Sequence, residues 1–489
     1  MIAKKTQSLC PVCGMVLDAD IVEEEGKIWI ARTCPSHGYF KELYWSDAEM
    51  YRRFEPFEIV GNGIENPQVH AQKSECPYAC GLCNNHKSAT LLANIDLTNR
   101  CNLNCDFCFA NARACGYLYE PTFEQVMEMM RLLRSELPVP APAVQFSGGE
   151  PTMREDLPRI IRSAKEIGFN QVQIATNGIR LARDISYVEE LKNAGLSTIY
   201  LHFDGVTKET NPFIELSRKA IENCSEVKMG LVLVPTVING RNDHEVGAII
   251  RYAAEHIDVI RGVNFQPIAF TGAANREEVH KERVTIPDLL DRIEAQTNGI
   301  VKKEYFYPVP CVVPISNLVE AYSGKPQIRF TTHQHCGAAT YVFVTEKGLV
   351  PINRMVDVDS FFDSITGMAE NLKRGGSINK YLTLLEGVKN MHASVRKGEE
   401  GGSVEFWKML GQTLISHDFQ SLKDFHWNAL FIGTMHFMDV FNYDVERVQR
   451  CCIHYATPDG RLIPFCTYNS GPVFREQVWR KFSRPFSQE

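Results

Sequence analysis

Apolar and polar positions in the middle of the chain alternate between short apolar runs, typical of buried strands, and longer stretches with helical periodicity. The runs predict strands at Leu92–Thr98, Ala143–Ser147, Val172–Thr176, Thr198–Asp204, Met229–Thr236 and Ile260–Pro267. Helices are predicted near residues 122–137, 155–168, 181–194, 211–225, 243–257 and 285–296. Six strand–helix units in succession indicate an α/β fold with a parallel sheet, either doubly wound or a partial barrel.

The flanking regions have a different character and suggest four segments. Residues 1–60 form a small unit that contains two cysteine turns, and residues 61–91 are rich in Gly, Asn and Pro. The strand–helix series occupies residues 92–300, and the regular pattern fades in residues 301–489. We take these four ranges as the predicted domain organisation.

Composition and charge narrow the class of protein. Of the 489 residues, 44% are hydrophobic and 23% are charged, which excludes a disordered or fibrous chain. The net charge of −7 gives no reason to expect a nucleic-acid partner. The polar N-terminus and the lack of a long apolar run predict a cytoplasmic protein.

Sixteen cysteines are unusual for such a protein and indicate metal or redox chemistry. Cys115 and Cys224 stand apart in helical patterns and are predicted to be small buried hydrophobic residues. The others form four groups: Cys10, Cys13 and Cys34; Cys76, Cys80 and Cys83; Cys101, Cys105 and Cys108; and Cys311, Cys336, Cys451, Cys452 and Cys466.

The first group belongs to a pair of knuckle turns. Cys10-Pro-Val-Cys13-Gly and Cys34-Pro-Ser-His37-Gly each end in a glycine that suits a tight turn. Together they offer four ligands to one tetrahedral metal, and they resemble the knuckles of rubredoxin or a zinc ribbon with His37 in the place of the fourth cysteine. Zinc suits this ligand set, and iron stays open.

The third group has the spacing C-x3-C-x2-C and follows the first predicted strand. Three thiolates on one loop can hold three irons of a [4Fe–4S] cluster and leave the fourth iron free to bind another molecule. After the second strand comes Gly148-Gly149-Glu150. The paired glycines let the backbone approach a ligand closely, and Glu150 offers an acceptor for a ligand ammonium group.

These residues resemble the radical S-adenosylmethionine (SAM) superfamily. The resemblance rests on Cys101, Cys105 and Cys108 with the aromatic Phe107, and on the glycine motif. It implies a partial (βα)6 barrel in which Cys101, Cys105 and Cys108 are the catalytic metal ligands. It also implies that SAM contacts Phe107, Gly148, Gly149, Glu150, Asn177 and Asp204.

The remaining cysteines predict auxiliary clusters. Cys76, Cys80 and Cys83 repeat the spacing, but Leu82 replaces the aromatic residue and no glycine motif follows as a strand partner. Three cysteines here and five in the C-terminal region give eight ligands, as many as two fully coordinated cubanes require. We therefore expect three [4Fe–4S] clusters, with His86 as a competing ligand for the first auxiliary triad.

The whole layout, a rubredoxin-like N-terminal domain, a radical SAM barrel and a C-terminal auxiliary-cluster domain, resembles archaeal tetraether lipid synthase. That resemblance implies a long-chain isoprenoid lipid substrate whose terminal carbons are joined, sp³ to sp³, into macrocyclic or tetraether lipids. It also implies an external one-electron donor such as ferredoxin and leaves peripheral membrane contact open.

Three alternatives remain open from the residues alone. The first is a radical SAM methylase that acts on a pterin-like or other small substrate. The second is a radical SAM enzyme that modifies a peptide, although no peptide-binding module stands out. The third is a non-catalytic electron carrier with several clusters, and the open iron site with the Gly148–Glu150 motif argues against it.

Overall fold

A computed structural model describes residues 3–112, 116–374, 429–470 and 474–485 of the chain. Cys115, predicted to be a buried hydrophobic residue, lies outside the described residues. Cys224 is fully buried in a helix, as predicted. None of the helices in these ranges combines the length and the hydropathy that crossing a bilayer requires.

The N-terminal unit is a four-stranded antiparallel sheet followed by a short helix. Its strands pair in sequence order, and helix α1, Ala48–Phe54, starts at Asp47, whose carboxylate caps the first turn. Buried aromatic and branched residues such as Trp45 and Ile30 fill the space between sheet and helix. The strands are β1 Ala3–Leu9, β2 Val16–Glu24, β3 Lys27–Cys34 and β4 Gly38–Trp45.

A large sheet forms the centre of the molecule. Its parallel strands are β5 Leu92–Thr98, β7 Ala143–Gly148, β8 Gln171–Thr176, β9 Thr198–His202, β10 Leu231–Val234 and β12 Ile260–Pro267. The short β6, Tyr117–Tyr119, and β11, Thr236–Val237, lie beside it. The helices of this region are α2 Phe123–Arg134, α3 Leu157–Ile167, α4 Ile179–Arg183, α5 Ile185–Asn193, α6 Ile214–Val227, α7 Val246–Glu255, α8 Val279–Glu282 and α9 Ile286–Gln296.

The strand order decides between the two predicted architectures. Each parallel strand lies next to its successor, in the order β5-β7-β8-β9-β10-β12, with no reversal. Right-handed crossovers that never change direction place the helices on one face and leave the other face as a lumen. The fold is therefore the α/β partial barrel with six βα units, and not a doubly wound sheet.

Most predicted elements match the observed ones, and the differences have local causes. The helix predicted at residues 181–194 is two helices, because Asp184 ends α4 and caps α5. The strand predicted at Met229–Thr236 is interrupted at Pro235, which has no N–H to donate to a ladder. Strand β9 ends at His202, so Asp204 lies in the loop that follows.

C-terminal strands extend both edges of the barrel sheet. Strand β16, Ala429–Met435, runs parallel to β12, and β17, Ile453–Ala456, runs parallel to β5. The further strands are β13 Tyr307–Pro308, β14 Gly337–Thr345, β15 Gly348–Pro351, β18 Leu462–Pro464 and β19 Ser483–Pro485. The further helices are α10 Val313–Ser323, α11 Ile352–Met355, α12 Val358–Arg374, α13 Val445–Gln449, α14 Phe465–Ser470 and α15 Phe474–Lys481.

Helix α15 holds the β5 edge, and Trp479 is its main anchor. The side chain is 1% exposed and its ring stacks on Tyr119, with centroids 5.4 Å apart. Replacing Trp479 by Ala removes this buried ring and should lower the free energy of unfolding by about 3–5 kcal/mol. Urea unfolding followed by circular dichroism measures the effect.

Lys481→Ala in the same helix is the matched control, because its side chain is mostly exposed. It should change the free energy of unfolding by no more than about 0.5 kcal/mol. Equal effects of the two substitutions would show that α15 is not anchored through Trp479.

Candidate active site and metal centre

The two knuckle turns of the N-terminal sheet bring four ligand atoms together. Those of Cys10, Cys13, Cys34 and His37 lie within 4.8 Å of one another. The Nδ1 atom of His37 is 3.4 Å from the Cys34 sulfur and 3.7 Å from the Cys10 sulfur. This Cys₃His arrangement fits a single tetrahedral ion such as zinc.

The loop that follows β5 carries the second motif. The backbone N–H of Cys108 donates to the carbonyl of Cys105 at 3.3 Å, and that of Leu103 donates to the Cys101 sulfur at 3.4 Å. Burial, reinforced by the nearby Cys108 and Cys101 thiols, raises the pKa of Cys105 to about 12. Thiolates are the form that binds iron, so a cationic metal centre at this loop would stabilise the ionised form of Cys105.

The glycine pair after β7 contacts the base of this loop. The N–H of Gly149 donates to the Thr98 carbonyl at 2.7 Å. A Cβ atom on Gly148 would lie 2.2 Å from the Thr98 carbonyl oxygen, and one on Gly149 would lie 2.3 Å from that of Arg100. Gly148 also has a φ of +127°, so a side chain is excluded on two grounds. The close approach predicted from the sequence is therefore an approach to the chain's own cysteine loop.

Glu150 ties two strand ends together. Its carboxylate, 1% exposed, accepts hydrogen bonds from the N–H and hydroxyl of Thr152 at 3.0 and 2.6 Å. It also accepts from the Thr176 hydroxyl at 2.7 Å and the Asn177 N–H at 2.8 Å. Burial raises the pKa of Glu150, although these donors oppose the shift. Its predicted contact with a ligand ammonium group stays a prediction.

The other residues predicted to contact SAM lie around the same edge of the sheet. The Asn177 amide donates to the Asn102 side chain in the cysteine loop at 2.7 Å. Asp204 accepts the Thr236 N–H at 2.8 Å and lies 2.6 Å from the Nε2 atom of His202. Burial lowers the pKa of His202 and the Asp204 carboxylate raises it, with a net rise. The Phe107 ring centroid is 6.3 Å from that of His202.

A row of polar side chains on adjacent strands lines the lumen, one layer below the sheet edge that carries the cysteine loop. These residues were not predicted from the sequence. The Gln145 amide donates to the Asn94 side-chain oxygen at 2.8 Å, and the Gln173 amide donates to the Gln145 oxygen at 2.8 Å. The Tyr200 side chain, on the neighbouring strand β9, lies near Gln173. Each lies third in its strand, on the face opposite the helix-packed apolar residues. We call Asn94, Gln145, Gln173 and Tyr200 the amide ladder.

Aromatic residues border the amide ladder on the side of the C-terminal strands. Tyr341 of β14 lies near Tyr200 and packs edge-on against Phe431 of β16, with ring centroids 5.5 Å apart. A Cβ atom on Gly433 would lie 2.4 Å from the Phe431 ring, so this glycine makes room for it. The lumen thus combines hydrogen-bonding amides with flat aromatic rings.

Four of the five C-terminal cysteines approach one another. Burial raises the pKa of Cys451 well above its usual value, and Cys466, Cys336 and Cys452 raise it further. Cys311 is placed elsewhere: burial raises its pKa to about 12, with Asp359 as the charged neighbour. The structure therefore does not bring all five predicted ligands together.

A buried arginine lies beside this group. Arg447 is 1% exposed and donates to the Cys336 sulfur at 3.4 Å and to the His436 carbonyl at 2.8 Å. Burial opposes its charge, yet Cys336, Tyr44 and Cys466 raise the pKa of Arg447 above its usual range. A buried cation needs a negative partner, and thiolates or an anionic cluster would supply it.

The triad of Cys76, Cys80 and Cys83 lies near Cys466. Cys76 and Cys466 belong to one buried cluster, and Tyr443 lies near both. The competing ligand His86 is engaged elsewhere: its Nε2 atom is 2.8 Å from the Cys451 carbonyl and 3.0 Å from His454. Cys466 is therefore better placed than His86 to complete this triad.

Comparisons with known proteins identify the families of two regions of the chain and a relative of nearly the whole chain. Residues 95–253 match the radical SAM superfamily, and residues 2–46 match the HMPTM N-terminal zinc ribbon domain. The 7,8-dihydro-6-hydroxymethylpterin dimethyltransferase of Methanocaldococcus jannaschii is 48% identical over 99% of this chain and 96% of its own. The GTP 3′,8-cyclase of Clostridium acetobutylicum is 27% identical over 57% of this chain and 87% of its own.

Solved structures resemble only part of the chain. The Escherichia coli coproporphyrinogen III oxidase HemN, described as a radical SAM enzyme, covers 54% of this chain and 61% of its own length. The TM-score of that match is 0.30 and the sequence identity is 12%.

The nearly full-length match corrects two expectations. The predictions of an isoprenoid lipid substrate and of membership of the tetraether lipid synthases are wrong, because a relative that matches 99% of the chain is named for a pterin. The polar lumen is consistent with this correction, because an alkyl chain packed against the amide ladder could form no hydrogen bonds with its polar groups. The superfamily and the N-terminal zinc ribbon are confirmed. The chain is a radical SAM enzyme and belongs to the family of the 7,8-dihydro-6-hydroxymethylpterin dimethyltransferase of M. jannaschii.

Proposed function

We propose that the protein is a radical SAM methylase that transfers methyl groups to a reduced pterin. The family relationship supports this assignment, since the relative from M. jannaschii is named as a dimethyltransferase of a dihydro-hydroxymethylpterin. The proposal replaces the lipid substrate with a small, flat, polar heterocycle. It keeps the radical chemistry that the sequence motifs predicted.

The lumen is the observation that carries the proposal. A pterin has a flat ring system with several hydrogen-bond donors and acceptors along one edge. The amide ladder supplies both N–H donors and carbonyl acceptors. Among the residues that the structure describes, the buried side-chain N–H group of Asn94 has no hydrogen-bond partner. Tyr341 and Phe431 add flat apolar surface on which such a ring can pack.

The residues around the cysteine loop have separable roles. When bound, SAM and a [4Fe–4S] cluster supply a carbon-centred radical that abstracts hydrogen. Cys101, Cys105 and Cys108 would hold that cluster, and Gly149 fixes the loop against the sheet. Glu150 holds the ends of β7 and β8 at a constant separation. The amide ladder would orient the pterin in the lumen below the cysteine loop and away from water.

The other metal assignments follow from the same geometry. Zinc in the N-terminal knuckles is favoured by the Cys₃His ligand set and by the zinc ribbon match. For the auxiliary clusters, we propose Cys76, Cys80, Cys83 and Cys466 as one ligand set. Cys336, Cys451 and Cys452 would serve a second cluster, with Arg447 balancing its negative charge. An external one-electron donor such as ferredoxin remains part of the proposal.

The substrate assignment is tested by product analysis. Anaerobically reconstituted enzyme, given 7,8-dihydro-6-hydroxymethylpterin, SAM and a reductant, should yield a pterin heavier by one CH₂ unit per methyl group transferred. Liquid chromatography with mass spectrometry detects this change. SAM cleavage without any change in pterin mass would contradict the proposed function.

The amide ladder is tested by Gln145→Leu, which interrupts the row at its centre. Loss of the hydrogen bonds should reduce kcat/KM for the pterin by about 10-fold, whereas SAM cleavage without pterin stays unchanged. Gln7→Leu, the same change in the N-terminal sheet, is the control. Equal kinetics for Gln145→Leu and the unmodified protein would remove the ladder from substrate recognition.

The cluster loop is tested by Cys105→Ala. Without this ligand, SAM cleavage should fall to background, and about one cluster's worth of iron should be lost. Iron analysis and chromatography of cleaved SAM measure both effects. Cys224→Ala, which changes a buried cysteine in α6 far from these loops, should preserve both quantities. Retained cleavage in Cys105→Ala would place the SAM site elsewhere.

The N-terminal metal is tested by Cys13→Ala, which removes the one exposed cysteine of this ligand set. We expect the zinc content to fall by about one ion per chain while the iron content stays the same. Inductively coupled plasma mass spectrometry measures both metals. Loss of iron in place of zinc would identify this centre as a rubredoxin-like iron site.

A further inference from the structure

The N-terminal sheet docks on one C-terminal segment, residues 439–447. The Thr6 hydroxyl donates to Asp444 at 2.6 Å, and the Tyr44 hydroxyl donates to the same carboxylate at 2.8 Å. Lys4 forms an ion pair with Glu446 at 2.9 Å. Since Tyr44 and Asp444 are fully buried, this contact is a fixed interface.

Arg32 is the central residue of that interface. It is 2% exposed, and its Nε atom donates to the carbonyl of Leu9, the residue directly before Cys10, at 2.9 Å. Its Nη2 atom donates to the carbonyls of Val440 and Phe441 at 3.2 and 2.8 Å. One guanidinium group thus joins the first metal knuckle to the C-terminal segment.

Asp439 continues the contact into the barrel. Its carboxylate pairs with the buried Arg283 at 3.0 Å and accepts the N–H of Phe441 at 3.0 Å. It also accepts the N–H of Phe270, in the loop after β12, at 2.9 Å. The segment held by Arg32 is therefore bound to a barrel loop by the neighbouring residue.

That barrel loop holds the end of the cysteine loop. The N–H of Ala273 donates to the Cys108 carbonyl at 3.0 Å, and the Thr271 hydroxyl donates to the Phe109 carbonyl at 3.2 Å. A Cβ atom on Gly272 would lie 2.3 Å from the Cys108 carbonyl oxygen. Phe107 and Phe441 also pack against one apolar cluster that includes Phe270.

We propose that Arg32 and Asp439 are positioning residues for the radical SAM site, through which the N-terminal zinc ribbon fixes the Cys101–Cys108 loop. The contacts are continuous from Leu9 to Cys108 through hydrogen bonds, and the linking residues Arg32, Asp439 and Phe270 are buried. Residues 101–108 form no helix or strand, so neighbouring elements must set their position. This inference goes beyond the proposed function and does not depend on the substrate.

The test compares Arg32→Ala and Arg32→Lys with the unmodified protein, each loaded with metal and supplied with SAM alone. In Arg32→Ala, amide hydrogen exchange in residues 101–109 should accelerate by about 10-fold or more, and SAM cleavage should fall by at least about 10-fold. The change that SAM causes in the electron paramagnetic resonance spectrum of the reduced cluster should weaken. Zinc and iron contents should stay the same.

Arg52→Ala is the matched control. Arg52 is exposed and also bridges to the N-terminal sheet, through Glu23 at 2.7 Å, but it has no link to the cysteine loop in this chain of contacts. In Arg52→Ala, the amide hydrogen exchange of residues 101–109 and the electron paramagnetic resonance spectrum should equal those of the unmodified protein. Arg32→Lys should show a smaller change of the same kind, because one ammonium group cannot reach all three carbonyls in the same geometry.

Faster exchange confined to the N-terminal sheet, with an unchanged spectrum and unchanged SAM cleavage, would overturn the proposal. If Arg32→Ala does not fold, the same readouts on Arg32→Lys decide the matter. Because no pterin is present, failure of this test leaves the substrate assignment untouched, and failure of the pterin assay leaves this one untouched.

Discussion

The cysteine loop after β5 has no regular secondary structure, so its shape depends on the backbone contact between Thr98–Arg100 and Gly148–Gly149. A side chain at either glycine would collide with a carbonyl oxygen of the first segment. The sheet can therefore support the loop only where two adjacent strand ends run side by side without Cβ atoms between them. Two further contacts surround the cysteine loop: Glu150 accepts the N–H of Asn177, and the Ala269–Ala274 loop donates to the Cys108 carbonyl.

Much of the fold was accessible from the sequence because the βα units are locally encoded. Short apolar runs predicted β5 and β12 with their observed bounds. The one helix predicted at residues 181–194 also failed for a local reason. The chain breaks at Asp184 because its side chain caps α5, and the periodicity of apolar residues does not reveal such a cap. The extra strands β16 and β17 were missed, because their pairing with β12 and β5 is a contact between distant segments.

The site likewise contains residues in short local motifs, which could be predicted, and residues brought together from distant strands, which could not. The cysteine spacings and glycine turns are short motifs, so the knuckles and the cysteine loop were predicted with their residues. The amide ladder takes one residue from each of four strands, and no motif in the sequence marks Asn94, Gln145 or Gln173 as neighbours. The substrate was mistaken for this reason: cysteine layout reports which metals a chain holds, whereas the lumen side chains decide what it binds.

Buried arginines differ in how their charge is balanced within the chain. Arg475 is paired with Asp96 at 2.7 Å, and Arg283 with Asp439, so both charges are balanced within the chain. Arg447 instead donates to the Cys336 sulfur at 3.4 Å, and it forms no ion pair with a carboxylate among the residues that the structure describes. Burial is the largest of several effects that together raise the pKa of Cys466 to about 12, and a metal bound there would favour its thiolate form. If the neighbouring cysteines hold a cluster as proposed, metal binding would therefore also stabilise the C-terminal segment that contacts the zinc ribbon.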